Sequence, residues 1–196
     1  MESSFPVTPS SAFKIRGANP RRNLPASVAR KRGESNFQLA FERAYLGAKQ
    51  QSGVIWQDFA LSGYGVADIV WISWNRSEEG AATLSYEQLR RSLCRNRLTA
   101  FEMKITNWRT GLMQAHRYRY FSDRAILVLP PDAAKRATLE INIFRDMEVG
   151  LWSFNPKDTL IEKIYTPTST KAKNSLAREK AINTILSHSK LRKSFK

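Results

Sequence analysis

A carboxylate and an ammonium group lie two residues apart in an otherwise apolar stretch, residues 98–105, as Glu102 and Lys104. The stretch has the length and composition of a buried β-strand. Because side chains on a strand alternate between its faces, we expect both charged groups on one face, roughly 7 Å apart. Burying two charges is costly unless they are paired, hydrogen-bonded or bound to a metal ion. The pattern therefore predicts half of an active site.

A second carboxylate, Asp68, is the one charged residue in another apolar stretch, residues 66–74. That stretch is apolar on both faces, which predicts a central strand beside the strand of Glu102. Asp68 could cap the backbone amides of a neighbouring loop, or it could share a metal ion with Glu102. Mg²⁺ favours one or two carboxylates together with waters and phosphate oxygens.

A bound Mg²⁺ ion can polarise a phosphate and activate a water molecule. Lys104, on the same face as Glu102, could hold the attacking water or offset charge on the phosphorane. The three residues therefore have the parts for metal-dependent phosphodiester hydrolysis. We expect Mg²⁺ as the cofactor, with Mn²⁺ able to substitute.

The elements around these strands are predicted from periodicity. Ser35 is a candidate N-cap for a helix over residues 36–50, and Glu42 lies at the border of its apolar stripe. Residues 54–61 and 66–74 form a predicted hairpin through a Gly-containing turn. A helix from Thr106 or Asn107 to about residue 121 places Gln114 one turn before Tyr118. A following strand, residues 125–129, predicts a right-handed parallel crossover.

In this order the residues resemble the PD-(D/E)XK nuclease superfamily, which has the restriction-endonuclease-like fold. Asp68 matches the first acid of its motif, Glu102 the second acid and Lys104 the lysine, while Ala67 replaces the motif's proline. The resemblance covers about residues 35–154. It implies an α/β fold with a central mixed sheet of four to five strands flanked by helices.

The resemblance also implies roles for residues on the two helices. Glu42 matches the acid that many members carry on the first core helix, where it assists metal binding, and Gln114 with Tyr118 matches the Gln-x-x-x-Tyr signature of RecB-type nucleases. Relatives with an iron–sulfur cluster need four cysteines, and this chain has only Cys94. The expected catalytic residues are Glu42, Asp68, Glu102, Lys104 and Gln114; the expected metal ligands are Asp68, Glu102 and Glu42; the expected substrate-binding residues are Tyr118, Arg109 and Arg117.

Positive charge is concentrated at the two ends of the chain. The net charge is +15; residues 3–33 hold seven Lys and Arg and no acid, and residues 171–196 hold eight and one acid. Such ends favour a polyanionic partner, although they could also serve solubility or disorder alone. Between the two basic ends, four arginines lie close together in the sequence and form either a phosphate-facing patch or a solvated helix face: Arg90, Arg91, Arg95 and Arg97.

Composition also indicates how the chain is divided into segments and where in the cell the protein is expected. Residues 1–34 are predicted to be a flexible basic arm, residues 35–156 the nuclease-like domain, and residues 157–196 a linker followed by a basic amphipathic helix. The sequence shows no apolar run of ~20 residues, no secretory signal and no second cysteine. These features favour a protein that is intracellular, cytoplasmic or DNA-associated, with no membrane partner.

Two function classes follow from these observations. The first is a Mg²⁺-dependent deoxyribonuclease, with DNA favoured over RNA and endonuclease over exonuclease action. The second is a non-catalytic nucleic-acid-binding protein on a nuclease-like scaffold, such as a subunit of a larger assembly. For either class the expected partner is nucleic acid, and the chain could form a homodimer or join a larger nucleic-acid-processing assembly. A transposase of RNase H type is disfavoured, because that fold uses three acids and requires no Glu-x-Lys pair.

Overall fold

The computed structural model describes residues 12–17, 28–49, 52–74, 85–168, 171–188 and 191, and these residues have an α/β fold. Seven described strands form one mixed sheet, in which they lie side by side in their order along the chain. Its elements are, in chain order, β1 (Ala12–Arg16), α1 (Val28–Gly47), β2 (Gly53–Leu61), β3 (Gly65–Ser73), α2 (Tyr86–Arg95), β4 (Leu98–Met103), α3 (Trp108–Tyr118), β5 (Arg124–Leu129), α4 (Pro131–Thr138), α5 (Ile141–Asp146), β6 (Val149–Asn155), β7 (Leu160–Tyr165) and α6 (Ser175–Ser187).

The centre of the sheet has the predicted connections. Strands β2 and β3 form an antiparallel hairpin, and β3 pairs antiparallel with β4. Strand β4, helix α3 and strand β5 form a parallel crossover, and β6 extends the parallel part. No helix among the described residues is long and apolar enough to cross a membrane.

The sheet is larger than the predicted four to five strands, because both of its edges come from segments expected to be irregular. Strand β1 lies inside the predicted basic arm and pairs parallel with β2. Strand β7 lies inside the predicted linker and pairs antiparallel with β6. In β1, Ile15 is buried between exposed Lys14 and Arg16, which is the alternation of a half-buried strand. The composition of the whole segment, residues 1–34, does not show this alternation of buried and exposed side chains, because the strand is only five residues long.

The first helix also begins earlier than predicted. It starts at Val28, so Ser35 lies inside α1 and caps nothing. Two short helices, α4 and α5, connect β5 to β6. Helix α2 follows Ser85, which forms a capping box with Gln88. The remainder of the predicted N-terminal arm, apart from residues 12–17 and 28–34, lies outside the described residues.

Each face of the sheet has its own apolar core. On one face α1 contributes an aromatic cluster, in which the ring of Phe41 lies 5.4 Å from Phe101 and 5.5 Å from Phe154 between centroids. On the other face α3 and α6 bury apolar side chains against the sheet, including Leu112 and Ile182. Both helix layers fix the strands between them, and β3 and β4 lie in the middle of this arrangement.

Candidate active site

The two predicted carboxylates lie where β3 and β4 stop pairing through their backbones. The last backbone pair at this end is Ile69 with Phe101, and the next register position sets Asp68 opposite Glu102. Here the Oδ2 atom of Asp68 accepts a hydrogen bond from the backbone N–H of Met103 at 2.7 Å. Asp68 thus accepts from a backbone amide of strand β4, and not of a neighbouring loop, directly beside Glu102.

The Glu102 carboxylate is fully buried and held from two sides. Its Oε1 atom accepts a hydrogen bond from Lys104 Nζ at 2.6 Å, and its Oε2 atom lies 2.6 Å from the hydroxyl of Tyr118. That hydroxyl is also 2.6 Å from the carbonyl oxygen of Val66. Because it carries one hydrogen, it donates to one of these two acceptors at a time. Lys104 and Tyr118 together fix the orientation of the carboxylate.

Lys104 remains charged in this setting. Burial lowers its pKa, but the nearby carboxylates of Glu102, Asp68 and Glu34 outweigh burial, and the net effect raises the pKa above its usual value. An ammonium group with a raised pKa donates hydrogen bonds at neutral pH and does not accept a proton. Lys104 is therefore suited to hold a water molecule or to stabilise negative charge, and not to act as a general base.

The Glu102–Lys104 pair predicts a loss of stability at alkaline pH. Because the pKa of Lys104 is higher in the folded chain than in the unfolded chain, the pair stabilises the fold fully below about pH 10.4. This stabilisation is lost as the pH rises through the raised value. We expect the difference in free energy of unfolding between the wild type and the Glu102→Gln/Lys104→Met variant to shrink as the pH rises above about 10. Urea denaturation across this range measures it, and a difference that stays constant would contradict the assignment.

Gln114 brings an unsatisfied acceptor to the same region. It lies on α3 one turn before Tyr118, and its Oε1 atom is buried with no hydrogen-bond partner among the described residues. A buried acceptor without a partner costs about 1–3 kcal/mol and calls for a water molecule or an ion. Gln114 therefore adds an oxygen donor that a cation or a bound water could use.

Glu42 makes its contacts elsewhere. Its carboxylate accepts a hydrogen bond from Gln57 on β2 and lies 3.2 Å from Lys14 Nζ on β1. Within the described residues, no three His, Cys, Asp or Glu side chains are grouped so that they could hold a metal ion together. The structure therefore does not bring Glu42 together with Asp68 and Glu102 as a three-carboxylate group.

Two acids near this site were missed in the sequence. Glu34, two turns before Glu42 on α1, acts electrostatically on Lys104, and Gln38 between them donates to the backbone oxygen of Asp68 at 2.6 Å. The hydrogen bond from Gln38 places the middle of α1 beside the backbone of Asp68. The three residues are spaced four apart, so the helical repeat could have included Glu34, but the predicted helix began after it.

The second missed acid is Asp58 on β2. It lies between the pairs Gln57–Ile69 and Phe59–Ala67, which places it at the register position across from Asp68. Asp58 is buried, and its φ of 52° is uncommon for a residue other than glycine. A charged residue inside the apolar stretch of residues 53–61 was the signal that could have identified it.

The predicted substrate-binding residues fall into two groups. Tyr118 is buried and contacts Glu102, so it acts as a positioning residue behind the carboxylate. Arg109 and Arg117 lie on the exposed side of α3. Arg109 forms an ion pair with Glu140 and stacks over the ring of Trp108, at 4.4 Å from the ring centroid.

Gly111 sets how closely α3 approaches the site. A Cβ atom at this position would lie 2.8 Å from the Cγ atom of Lys104 and 2.7 Å from Leu127 Cδ1. We expect Gly111→Ala to lower the free energy of unfolding by about 1–3 kcal/mol through overpacking, as measured by urea denaturation. Gly47→Ala is the matched control, because nothing lies within 4 Å of its Cβ position. Equal stability of the two variants would contradict the close packing of α3 on Lys104.

No known protein-family model, curated protein or solved structure matches this chain.

Proposed function

We propose that this protein is a metal-dependent nuclease with a restriction-endonuclease-like core, which hydrolyses phosphodiester bonds in DNA. The observation that supports this most strongly is the arrangement of three groups where β3 and β4 stop pairing. Asp68 and Glu102 occupy facing register positions, and the Lys104 ammonium lies 2.6 Å from Glu102. The order of these residues along the chain matches the PD-(D/E)XK motif, and the parallel crossover after Lys104 agrees with it.

The donor set suits a hard divalent cation. Two carboxylates on neighbouring strands and the unpartnered Oε1 atom of Gln114 offer oxygen ligands, which Mg²⁺ prefers, with its remaining positions left to water and phosphate oxygens. When bound by Asp68 and Glu102, Mg²⁺ or Mn²⁺ would polarise the phosphate and lower the pKa of a bound water.

The other residues would act around this ion. Lys104, protonated at neutral pH, donates a hydrogen bond to the attacking water or to a phosphate oxygen, where negative charge develops. Tyr118 holds Glu102 in one orientation. Water adds to phosphorus while the bond from phosphorus to the leaving oxygen breaks, giving a phosphate monoester and a free hydroxyl.

The direct test uses the full-length protein with a supercoiled plasmid and a labelled linear DNA. Incubations contain Mg²⁺, Mn²⁺ or an excess of chelator, and products are separated by electrophoresis. We expect nicked and linear plasmid with either ion and no cleavage with chelator. Absence of cleavage with both ions would contradict the proposal.

One observation favours the alternative, a non-catalytic protein that binds nucleic acid on a nuclease-like scaffold. The described residues contain no group of three potential metal ligands of the His, Cys, Asp or Glu type. That function predicts DNA binding that is unaffected by Mg²⁺ or chelator, without cleavage. The plasmid experiment, repeated as a binding measurement, separates the two.

A further inference from the structure

A basic cavity lies at the opposite end of β4 from Lys104. Its volume is about 770 Å³, and its lining includes Arg95 and Arg97 just before β4, Lys171, and Arg178 of α6. The sequence placed Arg95 and Arg97 in a possible phosphate-facing patch. The fold adds two cations that are more than 70 residues away along the chain. Hereafter we call this space the basic cavity.

Arg178 and Asp123 make one side of the basic cavity rigid. The Arg178 guanidinium binds both oxygens of Asp123 at 2.8 and 2.9 Å and donates to the backbone oxygen of Asn96 at 2.8 Å. Asp123 also accepts from the backbone N–H of Leu98 at 2.8 Å. Because Asp123 is neutralised in this network, its charge does not oppose an anion entering the cavity.

The remaining cations of the basic cavity face solvent. Arg95, Arg97 and Lys171 are all exposed, and among the described residues that line the cavity Asp123 is the one acid. Positive charge also continues beyond the cavity, at the start of β5. The pKa of Arg124 is lowered by burial and then by the charge of Arg97. Like charges held this close favour binding of an anion, which relieves their repulsion.

We propose that the basic cavity binds backbone phosphates of a nucleic acid, as a contact separate from Asp68, Glu102 and Lys104. The choice of nucleic acid rests on the proposed nuclease function, whereas the preference for phosphate rests on the cavity itself. Arginine presents a planar fork of donors that matches phosphate oxygens. The cavity is also far larger than one ion, so it can accept a segment of a polyanion.

The position of the cavity gives the contact a geometric consequence. Arg97 and Lys104 flank β4 and are seven residues apart, which corresponds to roughly 23 Å along a strand. Because helices cover both faces of β4, a nucleic acid that contacts both residues passes around these helices. Its path is therefore longer than the roughly seven nucleotides, at ~3.4 Å each, that the straight span would need. The cavity would thus hold the substrate at a distance from the scissile bond.

The test compares two triple variants of the full-length protein. Arg95→Gln/Arg97→Gln/Lys171→Gln removes the three exposed cations of the cavity, and Lys135→Gln/Arg136→Gln/Lys157→Gln removes three exposed cations that do not line it. Affinity for a fluorescein-labelled DNA duplex is measured by anisotropy in chelator at several salt concentrations. We expect the cavity variant to bind at least about 10-fold more weakly, with the log–log salt slope reduced by up to about 2.7, and the control to change less than about 2-fold.

Equal losses in the two variants would mean that total charge alone sets the affinity, and would overturn the proposal; so would no loss in either. Circular dichroism and thermal unfolding establish that both variants are folded. Because chelator prevents metal-dependent cleavage, the result does not depend on catalysis. A wild type that binds DNA through the cavity but never cleaves it would contradict the proposed nuclease function and leave the cavity contact standing.

Discussion

Replacing Lys104 with methionine is expected to lower the single-turnover rate of Mg²⁺-dependent DNA cleavage by about 10³-fold. The ammonium of Lys104 lies 2.6 Å from Glu102, and its raised pKa keeps it protonated, as the proposed stabilisation of negative charge on the phosphate requires. Removing one preorganised donor of this kind costs about 10²–10³-fold in other enzymes, and here the neighbouring carboxylate also loses its partner. Cleavage of an end-labelled duplex with enzyme in excess measures the rate.

Two controls separate catalysis from folding and binding in this experiment. Lys104→Met leaves a buried carboxylate without its cation, which can cost about 3–5 kcal/mol, so thermal unfolding must show that the variant is folded at the assay temperature. Lys104→Arg keeps the charge and tests whether the position of the donor matters. DNA affinity in chelator is measured for both variants, so that a change in binding is separated from a change in the cleavage rate. A Lys104→Met protein that cleaves at the wild-type rate would contradict the role of this residue.

Replacing Asp123 with alanine is expected to produce one of the largest stability losses in the chain, about 3 kcal/mol or more in free energy of unfolding. Asp123 accepts hydrogen bonds from the backbone of Leu98 and from Arg178, so one carboxylate joins β4, β5 and α6. Its removal leaves a mostly buried guanidinium without its counter-charge. Urea denaturation followed by circular dichroism measures the change.

Glu179→Ala is the matched control for Asp123→Ala, because Glu179 is an exposed acid on α6 next to Arg178. Its stability should differ from the wild type by no more than about 0.5 kcal/mol. Asp123→Asn should lie between the two, since the amide oxygen still accepts a hydrogen bond. If Asp123→Ala were as stable as Glu179→Ala, this carboxylate would not hold α6 to the sheet.

The centre of the fold could be predicted because its strands carry strong periodic signals. Residues 98–105 and 66–74 are apolar runs of strand length. Each contains one acid, Glu102 or Asp68, whose burial in a strand would need a compensating partner. The hairpin before β4 and the crossover after it are confirmed. The edge strands could not be predicted in the same way. Strand β7 is largely exposed, so it lacks a buried face, and β1 has one fully buried residue, Ile15.

The acids of α1 show why the site was harder to predict than the fold. Glu34, Gln38 and Glu42 are spaced four apart, so they lie along one side of the helix and are equivalent by periodicity. Which turn is level with Lys104 depends on where α1 crosses the sheet, and this is set by the packing of Phe41 on Phe101 and Phe154. Packing places Glu34 near Lys104 and Glu42 near Gln57.

The most direct test of the proposed nuclease centre is the cleavage rate of the wild type and of Glu102→Gln on the same DNA duplex, with Mg²⁺ and with chelator. Glutamine keeps the size of the side chain and an oxygen acceptor but removes the charge that would bind the ion. We expect rapid cleavage by the wild type with Mg²⁺, none with chelator, and a loss of about 10³-fold in Glu102→Gln. Equal cleavage by the two proteins, or cleavage that persists in chelator, would contradict a metal centre at Asp68 and Glu102.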